Sequence, residues 1–123
     1  MSTTGNVFRK IVLGLQGVSE GAHMGHPDFR AANGRIFSSL VEDETVATVK
    51  LTPDQQADFM SQAPTAFEPA AGAWGRNGWT MINLRGADSE QVGEALTLAW
   101  QSVANLKPTT KKKTGAAKGY KGT

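Results

Sequence analysis

The chain has 123 residues, 39% of them hydrophobic and 20% charged, enough for one domain with a core of its own. It contains no cysteine, which excludes disulfides, thiol nucleophiles and thiolate metal sites. The formal charge of +2 hides a division: Lys107, Lys111, Lys112, Lys113, Lys118 and Lys121 are all basic with no acid among them, whereas residues 1–106 carry seven basic and eleven acidic groups.

Phe8, Ile11, Val12 and Leu15 recur at helical spacing across residues 7–15, and Gly14 and Gly17 end that helix, Gly17 being the better left-handed terminus. Residues 18–27 carry a weaker signal, in which Val18-Ser-Glu20 fits a short strand before a loop. Asn33-Gly34 then separates Phe29-Arg-Ala-Ala32 from Arg35-Ile-Phe-Ser-Ser-Leu-Val41. A two-residue Asn-Gly loop accepts positive φ at both positions and so favours a tight antiparallel hairpin. Glu42-Asp43-Glu44 bends the chain into Thr45-Val-Ala-Thr-Val-Lys-Leu51, whose β-branched content argues a third strand.

Thr52-Pro53-Asp54-Gln55 starts a helix: threonine caps it, proline tolerates the first turn, and Gln55 closes a capping box. Pro64 limits this helix to about three turns. A loop rich in Ala, Gly and Pro, holding Phe67, Trp74 and Arg76, leads to a strand over Trp79-Thr-Met-Ile-Asn-Leu84. Asp88-Ser-Glu-Gln91 opens the last helix, in which Val92, Ala95, Leu96, Ala99, Val103 and Leu106 keep helical spacing until Pro108. The order is N-terminal helix, three-stranded meander, helix, strand, C-terminal helix. It predicts an α+β domain over residues 1–106, with an antiparallel sheet covered by helices on one side. Residues 107–123 have almost no large apolar side chain to offset their ordering entropy, and a disordered Lys-rich tail is predicted.

With Asn33-Gly34 as the loop, Ala32 faces Arg35, Ala31 faces Ile36 and Arg30 faces Phe37. Alternation then sends Phe29, Ala31, Ile36, Ser38 and Leu40 to the core, and Arg30, Ala32, Arg35, Phe37, Ser39 and Val41 to the other side. Two guanidinium groups beside an aromatic ring suit a surface that grips an anionic polymer. The same residues equally suit solvated cations whose stems cover Phe37. Trp74 and Trp79 flank Gly75-Arg76-Asn77-Gly78. A tryptophan beside an arginine can stack on a base, while a tryptophan at a strand start, such as Trp79, is commonly a core anchor. Trp100 lies beside the apolar stripe of the last helix, where packing explains it.

His23, His26 and Asp28 raise the question of a metal. A zinc site needs three or four ligands, and the chain has no third histidine and no cysteine, so no metal site is expected. No nucleophile elbow or phosphate-binding glycine loop is found either. Neither a cofactor nor an enzymatic activity is expected.

His26-Pro-Asp-Phe-Arg30, then Gly34-Arg-Ile-Phe37, then Trp74-Gly-Arg-Asn-Gly-Trp-Thr80 together resemble the MmcQ/YjbR family of small bacterial proteins, over roughly residues 6 to 106. The resemblance implies a compact α+β fold and a double-wing DNA-binding role, in which two β-hairpins lie against the duplex. Position 35 is Arg where relatives often carry Lys, which keeps the charge, and the lysine tail lies outside the family pattern. The expected function is therefore DNA binding through mainly non-sequence-specific phosphate contacts. Arg30, Arg35, Phe37, Lys50 and Arg76 would act from the body, with Lys111, Lys112 and Lys113 from the tail. Each phosphate contact on duplex DNA would contribute roughly −0.9 to the salt slope. The alternative is a small protein- or ligand-interaction module without enzymatic activity. Since no run reaches membrane-spanning length and no leader pattern opens the chain, a cytoplasmic protein without a membrane partner is expected, and a monomer is assumed.

Overall fold

The computed structural model describes residues 2–41 and 43–107. Helix α1 (Gly5–Leu13) is followed by strands β1 (Ser19–His23), β2 (His26–Arg30), β3 (Ile36–Val41) and β4 (Val46–Lys50). Helix α2 (Pro53–Gln62), strand β5 (Phe67–Pro69), the short helix α3 (Gly72–Arg76), strand β6 (Trp79–Asn83), a 3-10 turn (Leu84–Gly86) and helix α4 (Ser89–Ala104) follow among the described residues. The strands form one sheet in the order β1-β2-β3-β4-β6-β5, every neighbouring pair antiparallel.

Local signals explain the helices. Thr52 and Gln55 make the capping box in both directions, at 3.1 and 3.0 Å. Asp88 accepts the Glu90 backbone N–H at 2.9 Å to start α4. Helix α1 ends at Leu13, with Gly14 still in helical geometry. Gly17 does take positive φ, but four residues after the helix has ended.

Two elements and two hairpins depart from the sequence reading. The stretch 18–27 forms a hairpin of its own. Met24 and Gly25 are its two loop residues, with φ of 50° and 80°, and His23 pairs with His26. The predicted loop between α2 and β6 holds β5 and α3. At Asn33-Gly34 only Gly34 has positive φ (86°), Ala31 N–H bonds the Arg35 carbonyl, and Gly34 N–H bonds the Ala31 carbonyl. This is a three-residue loop closed by a left-handed glycine, not the two-residue loop.

The register therefore changes along the hairpin. Phe29 pairs with Ser38 and Asp28 with Ser39, but Arg30 pairs with Ile36, leaving Phe37 as the extra residue of a bulge. The bulge reverses the expected assignment: Phe37 is fully buried and Ile36 sits half-buried on the opposite face. Phe37 is thus a core residue and has no exposed ring to stack on a base.

The core lies between one face of the sheet and the helices. Phe29, Leu40, Ala47, Val49 and Ile82 meet Phe8 and Val12 of α1 and Val92, Leu96 and Ala99 of α4, with Phe8 and Phe29 edge to face at 5.5 Å. Trp100 packs against this cluster. The hairpin tip is pinned to the end of α4, since Asn33 Nδ2 donates to the Val103 and Leu106 carbonyls at 2.7 and 3.1 Å. Residues 108–123, including Lys111, Lys112 and Lys113 and nearly all of the predicted disordered tail, lie outside the described residues.

Candidate ligand groove on the open face of the sheet

Alternation along each strand places a second set of residues on the face away from the helices. Cross-strand partners share a face. The pairs His23–His26, Arg30–Ile36, Asp28–Ser39, Ser39–Thr48, Thr48–Met81 and Lys50–Trp79 trace this open face from β1 to β6. Residues from both ends of that series line one groove of about 430 Å³. In a flat sheet β1 and β6 would stand four strand spacings, about 19 Å, apart. The long side chains of His23, Trp74 and Trp79 reach over the strands between them and bound one trough.

The two ends of the trough differ in chemistry. Ile36, Ala70, Trp74 and Trp79 give its apolar wall. The two indoles meet edge to face with centroids 6.1 Å apart, and Trp74 stays 67% exposed. The glycines between them are steric necessities, because a side chain at Gly75 would collide with the Ala70 carbonyl and one at Gly78 with the Leu51 carbonyl. Gln56 of α2 directs its amide nitrogen at the Gly75 and Trp79 carbonyls and the Thr80 hydroxyl, each at 3.1 Å. That clamp fixes α3 over the trough.

The polar end is built around Asp28, whose side chain is fully buried. Its Oδ1 accepts from Arg30 Nε at 2.8 Å and its Oδ2 from Arg30 Nη2 at 3.1 Å. Oδ2 also meets His23 Nδ1 at 2.8 Å. Arg30, and after it His23, hold the Asp28 carboxyl below its ordinary pKa against the opposing effect of burial, and Asp28 in turn raises the Arg30 guanidinium. Gly21 makes room for this group on β1, since a Cβ there would lie 3.0 Å from Asp28 Oδ1 and 3.1 Å from Arg30 Nε. Beside it, the Ser39 and Thr48 hydroxyls share a 2.7 Å hydrogen bond inside the groove.

The body cations expected to grip phosphates are dispersed, and three of the four are engaged. Arg30 and Lys50 reach the open face, where Arg30 is bound to Asp28 and Lys50 Nζ donates to the Asn77 carbonyl at 2.6 Å. Arg35 points elsewhere: its Nε donates to the Lys107 carbonyl at 2.6 Å, just beyond the negative end of α4. Arg76 is exposed on α3, with no ion pair among the described residues. Behind the sheet Arg9 forms a bidentate pair with Glu44 at 2.7 and 2.8 Å and a longer one with Glu20. No three His, Asp or Glu residues gather to hold a metal among the described residues. No helix there is long and apolar enough to cross a membrane.

His23 is the site residue that the sequence reading placed without a role. Its place follows from the Met24-Gly25 turn, which pairs His23 with His26 and puts Asp28, two residues on, on the same face.

These features define a class: an α+β domain in which α1 and α4 cover one face of an antiparallel sheet, leaving on the other a trough overhung by α3. The YjbR family model matches residues 13–102, and the chain belongs to the YjbR family. Two solved structures share the fold. A crystal structure of the Deinococcus radiodurans protein DR2400, which carries the domain DUF419, is similar with a TM-score of 0.73 and 19% identity, covering 89% of this chain and 84% of that one. A Pseudomonas syringae protein is similar with a TM-score of 0.62 and 12% identity, covering 79% of this chain and 96% of that one. No curated protein matches the chain.

Proposed function

We propose that this domain is a binding module that takes a small planar ligand in the trough on the open face of its sheet, without catalysing a reaction. The observation that carries the reading is the groove itself: about 430 Å³, concave, with two tryptophans on one side and few polar groups. Its volume lies within the roughly 300–1,000 Å³ range of small-molecule sites, which share this mostly apolar lining with a few placed polar atoms. A flat ring can lie in the groove against the paired Trp74 and Trp79 indoles.

Calorimetric titration of the whole chain with 2-naphthamide, a neutral planar probe, tests the reading. Saturable binding that weakens about tenfold in Trp74→Ala is expected, the loss of one good aromatic contact. No binding, or binding indifferent to Trp74, contradicts it.

DNA binding is the second reading, supported by Arg30 and Lys50 sharing the open face with exposed Trp74, and by the six lysines from Lys107 onward. It ranks lower because Arg30 and Lys50 already hold protein partners and residues 1–106 carry an excess of acids. If it holds, Arg30→Ala and Lys50→Ala each reduce the salt slope of duplex affinity by about 1.

A further inference from the structure

The geometry points to a carboxylate subsite at the His23 end of the trough, so that the ligand is an aromatic carboxylate: ring against the tryptophans, acid group on His23 Nε2. This rests on the ligand-binding reading above and names the chemistry that the site selects.

The argument begins with proton placement. Asp28 is ionised and bound by Arg30 through both oxygens, so it accepts from His23 Nδ1 in either charge state of the ring. Nδ1 therefore keeps its hydrogen, and Nε2 is the nitrogen that gains or loses one. His23 lines the groove, and its side chain is half exposed.

Charge supplies the next step. Asp28 and Arg30 cancel, so the cluster is neutral with a neutral imidazole and carries +1 with an imidazolium. The charged form offers an Nε2–H at the mouth of an otherwise apolar trough, which an anion complements. Ser39 and Thr48 add to this. One hydroxyl hydrogen is used between them, and the second remains for a ligand oxygen. In register, Ser39 stands directly across from Asp28 and Thr48 beside β6, so the hydroxyl pair lies on the groove floor between the imidazole and the tryptophans. The ring of the ligand then extends toward Trp79 on β6. An acid group at one end and a flat apolar body at the other match this polarity.

Other charged groups near His23 bear on its pH dependence. On β2 these are Asp28, Arg30 and the exposed His26 that pairs with it. Across the open face stand Lys50 of β4, bound to Asn77, and Glu68 of β5. Glu20 of β1 faces the other way, toward Arg9.

The test uses the whole chain and two probes of one shape, 2-naphthoate and the neutral 2-naphthamide, titrated by two-dimensional NMR at pH 5.5 and 8.5. These values bracket the range in which histidines lose their charge, while the carboxylate stays ionised at both. Naphthoate is expected to bind about tenfold more tightly at pH 5.5, the size of a charge-assisted hydrogen bond in a half-wetted site. The amide should bind equally at both. His23→Gln should remove the pH dependence and His26→Gln should keep it. Amide binding with no preference for naphthoate at pH 5.5, or a pH dependence that survives His23→Gln, overturns the subsite and leaves the groove standing. No binding of the amide overturns the groove reading, and this inference with it.

Discussion

Exchanging the roles of Phe37 and Ile36 is the finding on which the trough's shape depends, and it makes a quantitative prediction. Were the Asn33-Gly34 hairpin a simple two-residue loop, Ile36 would be core and Phe37 would lie on the outer face. In the bulged register Phe37 is 0% exposed among Phe29, Leu40 and the helices, and Ile36 lines the groove. Truncating a fully buried phenylalanine loses its transfer free energy and leaves a cavity, costing about 3–5 kcal/mol. Ile36 is already half-wetted, so Ile36→Ala costs about 1 kcal/mol by the same reasoning. Urea unfolding at 25 °C measures both. Since Phe37→Ala removes a large part of the 5–15 kcal/mol typical of a domain, Phe37→Leu serves as the milder probe, at about 1 kcal/mol. At about 4–8 °C per kcal/mol for a domain near 100 residues, Phe37→Ala lowers Tm by about 12–40 °C. If Ile36→Ala is the costlier truncation, the bulge is wrong and the groove loses a wall.

The remaining predictions concern the groups that frame the trough. The Asp28 carboxyl is held below its ordinary pKa by Arg30 first and His23 after it, so its contribution to stability is complete above about pH 4 and is lost as pH falls through the folded value. Asp28→Asn should flatten that acid limb in pH-dependent unfolding and cost about 1–2 kcal/mol at pH 7, less than a fully buried pair because Arg30 and His23 reach water. Asn33→Ala should cost about 1 kcal/mol by urea unfolding, since the Val103 carbonyl in the last turn of α4 and the Leu106 carbonyl just beyond it lose their donor. Gln56→Leu should release α3, seen as faster amide exchange at Trp74–Gly78 with α4 unchanged.

Much of the fold was legible because its signals are local. The Thr52–Gln55 box and the Asp88 cap are read within one turn of chain, and the apolar stripe of α4 repeats often enough to be unambiguous. The register at Asn33-Gly34 was not legible, because the dipeptide suits two loop types and only the closure between Ala31 and Arg35 separates them. The hairpin at Met24-Gly25 lacks the residue that usually announces such a turn. Strand β5 is three residues long, and its place at the sheet edge is set by its pairing with β6 rather than by its composition. The site was half legible. Trp74, Trp79 and Arg30 were singled out, but their shared face depends on a strand order in which β6 lies beside β4. Asp28 reads as a surface acid in isolation, and burial under Arg30 and His23 is a tertiary fact.

Mapping of backbone and indole NMR shifts on the whole chain during titration with 2-naphthamide tests the central claim most directly. Shifts concentrated at Ile36, Ser39, Thr48, Trp74 and Trp79, with Trp100 and α1 silent, are the predicted result. Shifts centred on the helical face, or none with the amide while a DNA duplex at physiological salt perturbs Arg30, Lys50 and Arg76 together, would contradict it.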